Sequence, residues 1–359
     1  MMSKREFLLS ATGVAAATAG ATALGTKTGI EPGMGTGTQG SKGGAGAGGS
    51  GAGEEPLLGQ GSFRYRVLRG WGELDRAKVP VENCHAITED RDGRIVVLTD
   101  EVRNNIVVYT KAGAFVSKRE DRFPKAHALE FRADGAGDEL LWITDTGGVI
   151  SLCAPDGREL KRITPDAVAS KYPNITKYSP TNVAVMPDGD FYISDGYGSH
   201  YIHHFDPKWT YVKTFGGAGE AAANLRQPHA VYLDERRGRS ELLVCDRANQ
   251  KLKWFSAAGE LLREVAVPGS QPSNITPMAD NHLAIASLNG MILILDGKDR
   301  VVSAVGGEAP QYDGDTLKPL VPFNRVFNHP HDVYADAVGD LYVAQWNSYR
   351  SYPVKLQKV

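Results

Sequence analysis

The chain has 359 residues, with 40 Lys and Arg set against 42 Asp and Glu and a formal net charge of −2 at pH 7. Charges of both signs are interspersed, so there is no basic stripe for a nucleic acid and no basic amphipathic helix for a membrane surface. The three cysteines, Cys84, Cys153 and Cys245, are isolated and odd in number; each reads as a small buried strand residue, and at most one disulfide could form.

Residues 1–28 read as an export signal. Ser3-Lys4-Arg5-Glu6-Phe7-Leu8-Leu9 has the form of a twin-arginine signal with Lys4 in place of the first arginine. The Ala- and Thr-rich stretch that follows is too weakly apolar for a spanning helix, which needs about 20 apolar residues. Ala17-Thr18-Ala19 and Ala21-Thr22-Ala23 offer cleavage sites. The expectation is an exported protein, periplasmic or extracellular, with no integral membrane segment in the mature chain. Residues 29–61 are expected to be a flexible linker, since 12 of the 25 positions from 29 to 53 are glycine and none has an apolar pattern to bury.

From residue 62 to 359 a unit recurs six times. It opens on a polar residue in a short β-type run: His85, His127, Asn182, His229, Asn274 and His331. Second strands follow as GRIVVLTD, ELLWITD, GDFYISD, SELLVCD, NHLAIAS and GDLYVAQ. Asp-Gly and Gly-Asp pairs between these β-branched and aromatic runs are hairpin signals. Third and fourth strands can be read in each unit except the last, which lacks a fourth. Phe63–Leu68 alternates suitably and is left over at the front, so it can complete the last unit beside Pro353–Lys358. A spacing of 42 to 57 residues per unit suits four-stranded blades. The predicted fold is all-β, a six-bladed propeller over 62–359. His200, His203 and His204 lie on a predicted outer strand and are expected at the surface.

A propeller directs the starts of its innermost strands to one end of the axis. His127, His229 and His331 fall on alternate blades, and three imidazoles suit a zinc with an open fourth position. They could equally be ordinary polar residues of the repeat, hydrogen-bonded to a neighbouring blade. His85 stands at the same point of blade one, as a further ligand or as a partner of the ligands.

Several stretches carry a more specific resemblance: AHALEF (126–131) with LLWITD (140–145), SPTNVAVMPDGDFYISDGYGSHYIHHF (179–205), QPHAVYLDE (227–235) with LLVCDRANQKLKWF (242–255), and HPHDVYAD (329–336). These resemble NHL-type propeller repeats and, among them, the catalytic domain of peptidyl-α-hydroxyglycine α-amidating lyase. The resemblance implies His127, His229 and His331 as zinc ligands and Tyr197 as a catalytic residue. Arg247, at the equivalent point of the next blade, is expected beside Tyr197, where it would favour the phenolate and bind a carboxylate. Asp332 and Asn182 are expected to support the ligands by hydrogen bonding, as is His85. Zinc is the expected cofactor, with a structural calcium as a further candidate.

The chain also departs from the lyase pattern. A catalytic arginine expected on blade one is replaced by Asp100, and Arg103 could substitute only if its loop bends inward. The reading is therefore a zinc-dependent lyase acting on a small-molecule or peptide substrate by cleaving a carbinolamide C–N bond. The alternative is a non-catalytic propeller that binds a protein, peptide or glycan at its channel face. A calcium-dependent lactonase type is disfavoured by the histidine donor set.

Overall fold

The computed structural model describes residues 57–359 except 120–121, 134–136, 138, 170–177 and 324–325. The expected export segment and the linker up to residue 56 lie outside the described residues. Six four-stranded antiparallel sheets make up the described part, together with one two-stranded hairpin.

Blade one comprises Cys84–Glu89, Ile95–Thr99, Ile106–Tyr109 and Phe115–Arg119. Blades two to five begin at Ala126–Ala133, Asn182–Val185, Pro228–Asp234 and Pro272–Pro277. Blade six contains Pro330–Ala335, Leu341–Gln345 and Val354–Lys358. Its fourth strand is Tyr65–Leu68, paired antiparallel with Tyr65 opposite Lys358 and Leu68 opposite Lys355. Joining the first strand of the fold to the last closes the ring and leaves only short edges. Each innermost strand also neighbours the next around the ring, the sixth returning to the first.

There is a separate apolar core between every pair of adjacent blades. Trp254 and Leu293 pack between blades four and five, Ile294 and Leu341 between five and six, and Tyr109 and Tyr342 between six and one. Leu98 with Ile143, Ile150 with Phe191, and Tyr192 with Leu242 mark the remaining three. A strand that is sandwiched on both faces must be apolar at every position. Leu283–Ser287 and Met291–Leu295 are accordingly buried throughout, whereas the outer Phe115–Arg119 is mostly exposed.

Two expectations need correction. The end of the linker is not free: Leu58 is buried in the core between blades five and six, and Gln60 accepts from Ala304 N at 2.8 Å and donates to Gly307 O at 3.1 Å. His203 and His204 are not at the surface either. They sit in the third strand of blade three, Tyr201–Phe205, and both are buried because the neighbouring blades still cover that strand. His204 stacks on Tyr192 at 4.4 Å and bonds Asp190 at 2.6 Å. The cysteines are all buried and free. No helix among the described residues is long and apolar enough to cross a membrane.

Candidate functional site

One position recurs at the head of each innermost strand: His85, His127, Thr181, His229, Ser273 and His331. The pairing ladder breaks there in blades one, two, four, five and six. A bulge of this kind turns a side chain out of the strand's alternation, here toward the axis. Asn182 and Asn274, expected at this position, stand one residue further on. Pro180, Pro228, Pro272 and Pro330 set the alignment, and it brings Thr181 and Ser273 level with the histidines. One step along a strand reverses the face. Asn182, Asn274 and Asp332 accordingly line a different cavity of about 180 Å³ in the channel.

The bulges are clamped by the residue at, or just past, the end of each second strand. Asp100 accepts from Asn83 N, Asp145 from Lys125 N, Asp195 from Ser179 N and Asp246 from Arg226 N, at 2.7 to 3.0 Å. Ser287 and Gln345 do the same for Gln271 N and Asn328 N. The repeated Asp of the sequence motif is thus a backbone acceptor, required wherever a bulge leaves an N–H without its ladder partner.

A threefold pattern overlies this sixfold one. Nδ1 of His127, His229 and His331 each lies 2.7 Å from the carbonyl of the next blade's bulge residue: Thr181, Ser273 and His85 respectively. A carbonyl only accepts, so each Nδ1 carries the proton and each Nε2 presents a lone pair. The three rings lie 4.6 to 4.7 Å apart, centroid to centroid. Nε2 of His127 and Nε2 of His229 are 3.2 Å apart, and Nε2 of His331 is buried without a partner. Burial holds all three rings well below the usual imidazole range, reinforced by neighbouring rings and by Arg247. They are neutral, which is the metal-binding form.

Three convergent lone pairs exceed the one nearby hydroxyl proton, that of Tyr197, and leave His331 Nε2 without a donor. A cation among them removes the conflict, and 3.2 Å is close to the roughly 3.4 Å between nitrogens on a tetrahedral zinc with bonds of about 2.0–2.1 Å. The donor set therefore fits a transition metal. A second grouping overlaps the first: ring nitrogens of His85, His127 and His331 lie within 4.8 Å of one another. We take His127, His229 and His331 as the principal set, since they share one orienting bond and the closest nitrogens.

Tyr197 reaches this cluster from the loop after the second strand of blade three. Its Oη lies 3.0 Å from His229 Nε2 and 3.2 Å from His127 Nε2. Asp195 fixes the loop by accepting from Ser179 N at 2.7 Å and Ser199 N at 2.6 Å. Gly196 permits its close approach: a Cβ there would stand 2.4 Å from Pro228 O.

Arg247 heads a single 3-10 turn, Arg247–Asn249, and is buried. Its Nη1 donates to Tyr197 Oη at 3.3 Å, its Nη2 to Ser273 Oγ at 2.7 Å. Burial lowers its pKa, and Tyr197 partly offsets this. Among the described ion pairs none involves Arg247; Asp246, its neighbour, is taken by Lys253 at 3.0 Å. A buried guanidinium without a carboxylate is costly and waits for an anion.

The remaining expected residues fall elsewhere. Asp332 holds no imidazole: its oxygens accept from Ile87 N at 2.9 Å and Val333 N at 2.8 Å, and burial raises its pKa to about 7. Asn182 faces the channel cavity with it. Arg103 turns away to bind both oxygens of Glu101 at 2.7 Å, and Glu101 occupies in blade one the place of Arg247 in blade four. A cleft of about 480 Å³ lies over His85, His127, Tyr197 and Arg247 and is also lined by Lys125, Gln227, Gln271 and Trp346. Sequence reasoning missed Ser273 and Thr181. Their only signal is the position after a proline in QPSNITP and SPTNVAV.

No protein-family model matches the chain. It is 29% identical over 175 residues to peptidyl-glycine alpha-amidating monooxygenase B of Xenopus laevis, covering 46% of this chain and 19% of that protein. Against the Rattus norvegicus peptidylglycine alpha-amidating monooxygenase it is 27% identical over 173 residues, covering 46% and 17%. The alignments thus span about a fifth of the length of these relatives. In structure it superposes on a streptogramin B lyase with a TM-score of 0.54 at 14% identity, covering 82% of this chain and 97% of that one. A Staphylococcus aureus virginiamycin B lyase solved with quinupristin gives 0.52 at 13% identity, covering 85% and 100%; at such identities the likeness shows the fold. The chain is a six-bladed β-propeller that distantly resembles, over 46% of its length, the lyase region of the peptidylglycine α-amidating monooxygenases.

Proposed function

We propose that the protein is an exported, zinc-dependent lyase that splits a carbinolamide C–N bond, releasing an amide and an aldehyde acid. The observation that carries this is Tyr197 Oη, set between two metal-facing imidazoles and a buried arginine that lacks a carboxylate. Zinc, when bound by His127, His229 and His331, supplies Lewis-acid polarisation of a substrate oxygen. As the phenolate, which Arg247 favours by donating to the same oxygen, Tyr197 takes the proton of the substrate hydroxyl and becomes the phenol. As the O–H pair becomes the new C=O, the C–N bond breaks and its electrons leave with nitrogen. The phenol returns the proton to that nitrogen, which completes the amide. Arg247 also offers Nη1 and Nη2 to a substrate carboxylate at the cleft floor.

The likeness to the amidating monooxygenases supports peptidyl-α-hydroxyglycine as the substrate class, with glyoxylate as the second product. Blade one places Asp100 and the Glu101–Arg103 pair where a second free cation would help such a carboxylate, so turnover is expected to be slow. The direct test is glyoxylate release from a peptidyl-α-hydroxyglycine by the zinc-loaded protein. Release that depends on zinc and on Tyr197 supports the reading. A fully metallated protein with no release above background would instead favour a propeller that binds peptides or glycans at this face without cleaving them.

A further inference from the structure

Blade one departs from the threefold pattern of the other histidines, and the departure concerns His85. This ring does not bond a carbonyl of the next blade. Its Nε2 lies 3.3 Å from Asp100 Oδ2, while its Nδ1 is buried with no partner. Asp100 also accepts from Asn83 N and Asn83 Nδ2, both at 2.8 Å. It is therefore an acceptor, Nε2 carries the proton, and Nδ1 presents a lone pair.

The second oxygen of the clamp aspartate has a different task in each blade. In blade two Asp145 Oδ1 accepts from Gly147 N, in blade three Asp195 Oδ2 from Ser199 N, and in blade four Asp246 Oδ2 from Asn249 Nδ2. In blade one, Asp100 Oδ2 accepts from Asn83 Nδ2 at 2.8 Å and also meets the His85 imidazole at 3.3 Å. A carboxylate behind a histidine whose other nitrogen faces a cluster of donors is the arrangement that orients metal-ligating imidazoles. The His85 ring lies 4.8 Å from His331 and 5.2 Å from His127. Its ligand nitrogen falls within 4.8 Å of theirs. Nitrogens on a tetrahedral zinc are roughly 3.4 Å apart, so His85 joins the His127–His331 pair by closing up to about 1.4 Å.

The geometry assigns His85 as a fourth metal ligand, through Nδ1, with Asp100 as its positioning residue. This rests on the reading of the histidine cluster as a metal centre. His85 flanks the His127–His331 pair, while Tyr197 flanks the His127–His229 pair. Substrate must then enter on the side of Tyr197 and Arg247. Four imidazoles and no coordinating oxygen favour zinc and its late first-row neighbours over calcium or magnesium.

X-ray absorption on the cobalt(II)-loaded full-length protein counts the imidazoles. Four in the wild-type chain and three in His85→Ala are expected. Zinc affinity, read by competition with a chelator, should fall about 10–100-fold in Asp100→Asn and further in His85→Ala. Three imidazoles in the wild type, or unchanged zinc affinity in a folded His85→Ala, would overturn the assignment. The wild-type spectrum decides the matter even where the variant fails to fold. If zinc binding is lost in His127→Ala and His229→Ala but kept in His85→Ala, the centre stands and the fourth ligand falls. A wild-type chain that takes up neither zinc nor cobalt removes the centre itself.

Discussion

Tyr197 and His203 are both polar rings in a propeller interior, and their surroundings give them different work. The Tyr197 oxygen meets two imidazole nitrogens and a guanidinium, so it can lose and regain a proton without solvent. Tyr197→Phe removes that oxygen but none of the nitrogens. It should leave zinc content and melting behaviour intact while turnover falls by roughly 10²–10⁴-fold, the usual worth of a positioned acid or base. Equal loss of zinc would instead mark the tyrosine as structural. His203 bonds Thr214 Oγ1 at 2.8 Å through Nδ1, and burial lowers its pKa to about 3. Asp195 stands 4.0 Å from its Nε2 and also accepts from Ser179 N and Ser199 N. The unfolded chain therefore binds a proton at this residue near pH 6.5 that the folded chain refuses. Stability is complete above about pH 6.5 and declines as pH falls toward 3, by at most about 1.4 kcal/mol per pH unit from this group. His203→Gln should flatten the acid limb of a denaturation series between pH 6.5 and 5; an unchanged slope would contradict the assignment.

At the level of strands and loops, function depends on how closely blades three and four approach. The loop bearing Tyr197 fits because residue 196 has no Cβ. An added methyl would meet Pro228 O at 2.4 Å and Thr181 Oγ1 at 2.6 Å. Pro228 O is backbone next to His229 and cannot yield without moving that ligand's strand. Gly196→Ala should displace the phenol by a fraction of an ångström to an ångström, enough to lower turnover by up to about 10²-fold. Global unfolding should move less than in a core truncation. A crystal structure of the variant with Tyr197 unmoved and activity lost would show that the loop matters for another reason.

For the ring as a whole, closure is the decisive feature, and two truncations separate it from the tail. Removing residues 1–54 should leave the melting temperature unchanged. Removing residues 1–61 also deletes Leu58, buried between blades five and six, and Gln60, which bonds blade five. Burial of one leucine is worth about 1.5–3 kcal/mol, and each hydrogen bond roughly 0.5–1.5 kcal/mol. The longer deletion should therefore lower the melting temperature by several degrees, about 2–4 °C per kcal/mol for a domain of 150–250 residues. Calorimetry of both truncations checks this; equal curves would mean that residues 57–61 do not dock.

Much of this architecture was legible in the residues themselves. Six units with alternating strands and Asp-Gly turns require a ring of sheets, because no single blade can bury both its faces. The spare strand at the front and the gap at the back required the closure seen between Tyr65–Leu68 and Val354–Lys358. Placing His127, His229 and His331 on alternate blades likewise needed only their positions in the repeat. Other features depended on distances across the fold. Thr181 and Ser273, rather than Asn182 and Asn274, are level with the histidines, because bulges shift the strands by one residue and a linear pattern does not show a bulge. His203 reads as surface in the chain, yet it is buried because a third strand is still covered by its neighbours. His85 stands at the ligand position of the repeat, but its pairing with Asp100 depends on tertiary structure. The repeat requires an aspartate at position 100 for backbone reasons, and only the folded ring decides that its second oxygen also faces a histidine.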